Sequence, residues 1–253
     1  MRWEENVSEK WVNPEALRKM LARFEPGSAM GSTSYLLPAN NGTEPDLPGS
    51  LWLPETARVK ILKSSTGSVV FYTRQNTGGE YTLVIPPFPV QKSLVASYME
   101  TAPLLEILEQ EFVIGIVLIR LGSFAFGVSR GQKMVTSKVG TGLVHGRHRQ
   151  GGSSANRFAR HREKQMETFF TRACSYLREY FEPHVKEIDY MLYGGARNTI
   201  QEFRKQCSFA NALQKPEMPS LLDIPDPRQA VLHKALERAW SSRVFTWVEP
   251  DTG

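Results

Sequence analysis

The sequence contains few cysteines, and their spacing does not suit a metal site. Only Cys174 and Cys207 are present, far apart in the chain. Structural zinc sites use closely spaced pairs of ligands, which these two residues do not form. The five histidines are scattered or lie in a strongly basic segment, where they would repel a cation. We therefore expect two buried, reduced thiols of a cytosolic protein, with no metal and no cofactor.

The sequence also lacks a long hydrophobic run. The longest, FVIGIVLI at 112–119, is far shorter than the roughly 20 apolar residues that a membrane-spanning helix needs. The first residues, MRWEENVSEKW, are polar and acidic, unlike a signal peptide. We therefore expect a cytoplasmic protein without a membrane partner.

Acidic residues are not clustered on the strands that the sequence predicts. The segments SVVFYTR at 68–74 and FVIGIVLIR at 112–120 contain no carboxylate. A nuclease with an RNase H-like sheet would need several carboxylates there to hold Mg²⁺. The chain also lacks a G-x-G-x-x-G motif after a strand and a P-loop lysine. These absences argue against an RNA-processing nuclease and against a nucleotide-binding motif.

Positive charge is concentrated in one place. The chain has a formal net charge of +5. The segment 145–164 contains a single acid, Glu163, and six cations, which gives that segment the same net charge as the whole chain. The cations are Arg147, Arg149, Arg157, Arg160, Arg162 and Lys164. Because the remainder is close to neutral, the charge indicates a local surface for an anionic partner.

Hydrophobic periodicity predicts helices that alternate with strands around a mixed sheet. The predicted helices are 14–24 with Asn13 as its N-terminal cap, 93–110 with a break at Pro103, 154–181, 196–207 and 225–242. The predicted strands are 58–64, 68–75, 80–90, 112–120, two within 123–140, 188–195, 220–224 and 243–249. Residues 26–56 are rich in Gly, Pro, Ser and Asn, and we predict an irregular, partly extended connection there. We therefore divide the chain into an N-terminal helix with an extension, 1–56, and one domain, 57–253.

The basic segment surrounds a pair of glycines, Gly151 and Gly152. Glycine has no Cβ atom, so the backbone can adopt positive φ and approach a ligand closely. The helix predicted from Ser154 onward presents the positive end of its dipole at the same place. The segment therefore suits a phosphodiester backbone. A solvated basic loop and a site for a small anion remain as alternatives. The histidines at 145, 148 and 161 have three possible roles: to add positive charge, to stack on a base, or to serve as plain polar loop residues.

Residues 151–164, GGSSANRFARHREK, resemble the catalytic loop in the middle domain of eukaryotic and archaeal class I peptide-release factors. That loop follows a pattern like H-G-R-G-G-Q-S-A-x-R-F-A-R-x-R. The matching residues are Gly151, Gly152, Ser154, Ala155, Arg157, Phe158, Ala159, Arg160 and Arg162. A strand ending in glycines and a helix follow, YMLYGGARNTIQEFRKQ at 190–206, as they do in release factors. The resemblance covers about residues 110–250 well and the region before them loosely.

The resemblance implies a fold and a reaction. The fold is an α/β mixed sheet flanked by helices, similar to RNase H and to the release-factor middle domain, with a flexible basic Gly-Gly loop. The chain has no room for the codon-recognition and C-terminal domains of a full release factor. It therefore looks like a stand-alone release-factor-like protein of the Vms/VLRF group. Such proteins are peptidyl-tRNA hydrolases, carboxylic ester hydrolases that free stalled nascent chains during ribosome rescue and quality control.

The resemblance also implies the partners and the site. The partners would be the ribosomal large subunit, peptidyl-tRNA and ribosomal RNA, contacted by a monomer. Gly151, Gly152 and Ser153 would form the working tip, and Gln150 is the candidate side chain for placing water. The residues that would bind RNA are Arg147, Arg149, Arg157, Arg160, Arg162 and Lys164. We expect Phe158 to pack the helix onto the sheet, and 190–195 to be core and turn.

One departure from the family pattern keeps alternatives open. Ser153 stands where release factors have glutamine, and the nearby amides are Gln150 and Asn156. Loss of that glutamine would suit a non-enzymatic protein that binds the ribosome or tRNA. Ser153 with His148 as a nucleophile and base would lack the third group that orients a catalytic histidine.

Overall fold

The structure, a computed structural model, describes residues 7–24, 27, 31–39, 53–75, 78–144, 155–219, 221 and 223–248. Its strands are β1 (Ser8–Val12), β2 (Gly31–Leu36), β3 (Ser68–Gln75), β4 (Gly78–Ile85), β5 (Leu94–Ala96), β6 (Val113–Arg120), β7 (Ser123–Arg130), β8 (Lys133–Thr141), β9 (Tyr190–Gly194) and β10 (Ser242–Val248). Its helices are α1 (Pro14–Leu21), α2 (Glu55–Leu62), α3 (Ala102–Glu109), α4 (Ala155–Phe181), α5 (Arg197–Gln206), α6 (Ser208–Ala212) and α7 (Gln229–Ala239). A short 3-10 helix at Glu182–His184 follows α4.

The chain forms two compact units. The first contains residues 1–110 and 240–253, and the second contains residues 111–239. Each has its own sheet, so the α/β fold class with helices flanking mixed β-structure is confirmed. The predicted division of the chain into an N-terminal extension, 1–56, and a functional domain, 57–253, stays a prediction.

The first unit is built on a six-stranded antiparallel sheet in the order β1-β10-β4-β3-β2-β5. Its core contains Tyr81, Leu83, Phe245 and Trp247. The rings of Tyr81 and Trp247 stack at a centroid distance of 5.3 Å. Helix α1 begins as predicted, because the Asn13 side chain accepts a hydrogen bond from the Ala16 amide at 2.8 Å.

Several predictions for the first unit are wrong. Residues 31–36, inside the predicted irregular connection, form β2 between β3 and β5. Thr33 and Ser34 are buried there, and the Thr33 hydroxyl donates to the Tyr98 carbonyl at 3.1 Å and accepts from the Glu100 amide at 3.0 Å. Since these hydrogen bonds satisfy the polar side chain, a strand with little hydrophobic character is stable in the sheet.

The segment before β3 is also helical where a strand was predicted. Residues 58–62 continue α2, whose buried residues Ala57 and Ile61 lie one turn apart and belong to the core. Residues 94–96 form the short strand β5, and Pro103 lies in the first turn of α3 instead of breaking a longer helix. Proline fits that position because the first helical amides have no intrahelical partner.

The second unit is built on a four-stranded mixed sheet in the order β8-β7-β6-β9, with β9 parallel to β6. The predicted central position of β6 is confirmed, and its residues 113–119 are all buried. Helix α4 packs on one face through Phe170, Leu177 and Phe181. On the other face, a Cβ atom at Gly127 of β7 would lie 3.0 Å from Leu232 of α7. Helices therefore cover both faces of this sheet.

The end of β9 is a turn that requires glycine. Gly195 has a φ of +123°, and a Cβ atom there would lie 2.0 Å from the Ile119 carbonyl oxygen. The predicted strand at 220–224 is represented by an isolated parallel bridge between Leu221 and Gly194, and residues 220 and 222 lie outside the described residues. The interpretation of 190–195 as core and turn agrees with this geometry.

The expectation of two reduced thiols is wrong in the structure. Cys174 of α4 and Cys207, which follows α5, form a disulfide with their Cα atoms 5.4 Å apart. Cys207 is buried and Cys174 is partly buried. Both helices pack on one core, which brings together two residues that the sequence separates.

Candidate nucleic-acid interface

Helix α4 has two parts that differ in burial. From Phe169 onward it buries one face in the core. The five consecutive residues 157–161 are all exposed. Five consecutive residues of an α-helix sample every direction around its axis, because a turn takes about 3.6 residues. This first part of α4 is therefore largely exposed to solvent around its whole circumference.

The predicted RNA-binding residues on α4 are at the surface. Arg157, Arg160 and Lys164 are exposed, and Arg162 is half-buried. Arg147 and Arg149, together with the predicted tip residues Gln150, Gly151, Gly152 and Ser153, lie outside the described residues. Phe158 is 53% exposed and is not part of the buried core, so the expectation that it packs onto the sheet is wrong.

The cations of α4 share one face with a residue that was not predicted. Helical spacing places Arg157, Arg160 and Lys164 on the same side as Arg172, over an axial distance of about 22 Å. The acids Glu163 and Glu167 lie away from Arg172, but they flank the other edge of this side, because they follow Arg160 and Lys164 by three residues each. We call this surface the α4 basic face, defined by Arg157, Arg160, Lys164 and Arg172. The helical period, extended along the sequence past Lys164, is the signal that places Arg172 on this face.

The cations of the α4 basic face differ from other cations of the second unit in their ion pairing within the described ranges. Elsewhere in the second unit, Arg204 pairs with Glu217 at 2.7 Å and Arg130 pairs with Glu187. The four residues of the α4 basic face, by contrast, form no ion pair with any acid that the structure describes. A row of exposed, unneutralised cations is the electrostatic pattern expected of a surface for a polyanion.

A cleft of about 470 Å³ lies where β8 ends and beside the α4 basic face. We call it the α4 cleft, and its lining residues are Gly142, Leu143, His161, Lys164, Gln165, Thr168, Phe169 and Arg172. A Cβ atom at Gly142 would lie 2.7 Å from the Phe169 ring and 3.6 Å from the Arg172 guanidinium. Glycine therefore allows the chain to approach α4 closely just before the predicted tip. Leu143 at the edge of the cleft is 71% exposed.

The described residues hold their potential metal ligands apart from one another. They contain no group of three or more His, Cys, Asp or Glu side chains that could hold a metal ion. Burial raises the pKa of the Tyr193 phenol to about 12, so this buried tyrosine stays protonated near neutral pH. The site consists of exposed cations and a cleft, and such an arrangement is chemically suited to an anionic chain.

Within the described part of the chain, none of the helices combines the length and the apolar surface that a bilayer crossing requires.

Comparisons with known proteins point to translation termination. Residues 113–245, more than half of the chain, match the family model described as Actinobacteria/Chloroflexi VLRF1 release factor. Peptide chain release factor subunit 1 of Methanopyrus kandleri is 30% identical over 190 residues, which cover 74% of this chain and 44% of that protein. The protein of the same name from Archaeoglobus fulgidus is 28% identical over 153 residues, covering 60% and 37%. The chain thus spans less than half the length of these relatives.

A solved structure gives a weaker likeness. The crystal structure of the archaeal translation termination factor aRF1 aligns over 90% of this chain and 71% of its own, with a TM-score of 0.35 and 14% sequence identity.

Proposed function

Since the chain belongs to the Actinobacteria/Chloroflexi VLRF1 release factor family, we propose that it hydrolyses peptidyl-tRNA. The substrate would be the ester that joins a stalled nascent peptide to its tRNA on the ribosomal large subunit. The role would be ribosome rescue in the cytoplasm, by a monomer that needs no metal or cofactor. The observation that carries the proposal is the α4 basic face, which begins immediately after the Gly-Gly motif.

The basic face would hold RNA while the tip acts on the ester. Arg157, Arg160 and Lys164 are exposed and lie in a row, so they can contact successive phosphates. Phosphate contacts fix the register of a protein on an RNA chain without reading its sequence. Helix α4 is anchored in the core from Phe169 onward, so RNA held on its first part would have a defined position relative to the core of the second unit.

The proposed chemistry is the addition of water to the ester carbonyl carbon. The ester C–O bond then breaks, the tRNA oxygen takes a proton, and the peptide leaves with a free carboxyl group. Backbone N–H groups of Gly151, Gly152 and Ser153 would stabilise the oxyanion, and one such donor contributes about 3 kcal/mol. The Gln150 amide would orient the water. Because these groups act through position, most of the acceleration would come from orientation within a site closed by ribosomal RNA.

The test is release of a labelled nascent peptide from isolated large subunits that carry peptidyl-tRNA. We expect release by the wild type and a loss of at least about 100-fold for Gly152→Ala, because a Cβ atom at the tip would obstruct the approach to the ester. Binding to the subunits should be nearly unchanged in this variant, since the α4 basic face is intact. Equal release by both proteins would contradict the assignment of the tip.

A second candidate is a binder without catalytic activity. The observation that favours it is Ser153, which stands where release factors carry glutamine. The same assay separates the two functions, because a binder would associate with large subunits in a salt-sensitive manner and release no peptide.

A further inference from the structure

We propose that the α4 cleft binds one nucleotide of single-stranded RNA, with Arg172 and Lys164 on its phosphate. The proposal rests on the proposed function and deepens it by naming a part of the substrate that this site recognises. If the tip meets the ester at the 3′ end of tRNA, the unpaired strand behind that ester is the RNA nearest to the cleft.

Charge is the first argument. Three of the eight lining residues, His161, Lys164 and Arg172, are basic types, and none is acidic. Lys164 and Arg172 have no ion-pair partner among the residues that the structure describes. A guanidinium matches two phosphate oxygens at once, and an ammonium adds a second charge to the same group. The pair is therefore suited to a phosphodiester.

Size is the second argument. A volume of about 470 Å³ exceeds what a single free anion fills and lies within the range of sites for small organic molecules. A nucleotide unit has a ribose and a base beside its phosphate. An RNA duplex keeps its bases stacked inside and presents mainly phosphates and riboses, so only an unpaired nucleotide can insert into such a cleft.

The apolar wall is the third argument. Leu143 is 71% exposed, and the nearly buried ring of Phe169 forms part of the lining. These groups can contact a ribose or the face of a base. Glycine suits the wall, because a Cβ atom at position 142 would lie only 2.7 Å from the Phe169 ring. The Thr168 hydroxyl, which donates to the Lys164 carbonyl at 2.9 Å, still has lone pairs for a ligand hydroxyl.

Location is the fourth argument. The cleft lies between the chain that leads into 145–154 at Leu143 and the chain that leaves it along α4. It also continues the α4 basic face, since Lys164 and Arg172 belong to both. An RNA strand that follows Arg157 and Arg160 would therefore meet the cleft.

The test uses the full-length protein and a fluorescent single-stranded RNA with the sequence of a tRNA 3′ end. We expect Arg172→Ala to weaken binding about 10-fold, because it removes a charged hydrogen-bond donor to a phosphate. Leu143→Ser should weaken binding about threefold without a change in salt dependence, because it removes only apolar contact. The matched control is Lys186→Ala, which removes one exposed cation after the far end of α4. It should change binding less than twofold.

Two competitors identify the ligand. A duplex RNA of the same length should compete at least about 10-fold less well than the single strand, and its binding should be insensitive to Leu143→Ser. Inorganic phosphate at millimolar concentration should not compete, because it lacks the ribose and base. Competition by phosphate would instead identify a small-anion site and overturn the proposal. Equal effects of Arg172→Ala and Lys186→Ala would also overturn it.

Failure of this inference can be distinguished from failure of the proposed function. In the release assay, Arg172→Ala should raise the half-saturating protein concentration more than it lowers the rate at saturation. If the wild type releases peptide but Arg172→Ala changes neither this concentration nor RNA binding, the cleft proposal fails and the proposed function stands. If the wild type releases nothing, the RNA-binding measurements still decide what the cleft binds.

Discussion

The residue at position 153 determines which side chain is available to orient the attacking water in the proposed reaction. Release factors have glutamine there, whereas this chain has serine, and the amide before the glycines is Gln150. A serine hydroxyl is shorter than a glutamine amide, so the same geometry cannot be reached from position 153. The resemblance implies that Gly151 and Gly152 form the tip, and substitutions at positions 150 and 153 test which side chain places the water.

We predict that Gln150→Ala lowers the rate of peptide release at saturation by about 10-fold or more, because the attacking water loses its orienting group. We further expect Ser153→Gln to restore much of the lost activity when it is combined with Gln150→Ala. Single-turnover release on large subunits measures both effects. A Gln150→Ala protein with full activity would show that the backbone of the tip alone positions the water.

The exposed arginines of α4 make a prediction about salt. Replacing Arg157 and Arg160 together with alanine should weaken binding to large subunits and lower the slope of log affinity against log salt by about 1.4 to 1.8, for two lost phosphate contacts. The control is Lys186→Ala with Lys234→Ala, which removes the same charge from two exposed positions off the α4 basic face. An unchanged slope in the arginine variant would mean that Arg157 and Arg160 face solvent and do not contact phosphates.

At the level of single residues, the sequence predicted exposure better than packing. Arg157, Arg160 and Lys164 are exposed on a helix, as the pattern of charges indicated. Phe158 follows the helical spacing of the core residues, yet it lies before the point where α4 reaches the sheet. Periodicity shows which face of a helix is apolar, but it does not show at which residue the burial of that face begins.

Helix α4 is the element on which the site depends, and a disulfide joins it to the end of α5. Cys174 and Cys207 are separated by 33 residues, and the disulfide closes the loop between them. Closing this loop lowers the conformational entropy of the unfolded chain. We predict that reduction lowers the free energy of unfolding by about 3 kcal/mol. Thermal unfolding with and without a non-thiol reductant measures the effect. A Cys174→Ala, Cys207→Ala double variant should not respond to reductant, and an equally insensitive wild type would show that the bond is not formed.

The turn after β9 gives a second prediction about stability. Gly195→Ala should destabilise the protein by about 2 kcal/mol or more, because its φ is +123° and a Cβ atom would meet the Ile119 carbonyl oxygen at 2.0 Å. The matched control is Gly131→Ala, where φ is +55° and no atom lies within 4 Å of the added Cβ. Chemical unfolding should show the smaller loss for Gly131→Ala, and similar losses would mean that the crowding at Gly195 is relieved by movement.

Elements with strong periodic patterns were predictable, and elements formed by local compensation were not. The bounds of α4 and β6 follow from hydrophobic spacing, and both are confirmed nearly to the residue. Strand β2 could not be predicted, because the burial of Thr33 is compensated by hydrogen bonds to residues 98 and 100, which only the tertiary structure brings close. Helix α2 was mistaken for a strand because Val59 and Ile61 flank a lysine in an alternating pattern. The residues that the helix buries are instead Ala57 and Ile61, one turn apart.

For the whole molecule, the sequence indicated the class of fold but not the pairing of distant segments. Strand β10, near the end of the chain, pairs with β1 and β4 of the first unit. Nothing in its sequence, SRVFTWV, specifies partners so far away along the chain. The family match at 113–245 covers nearly all of the second unit, so the proposed RNA contacts and the proposed chemistry belong to that unit.

The most direct test of the account is single-turnover release of a labelled nascent peptide from purified large subunits, with the wild-type protein in excess. We predict a single exponential whose rate rises to saturation with protein concentration, with the product recovered as free peptide and intact tRNA. Saturable binding to the same subunits with no release above the rate without protein would contradict the proposed hydrolysis.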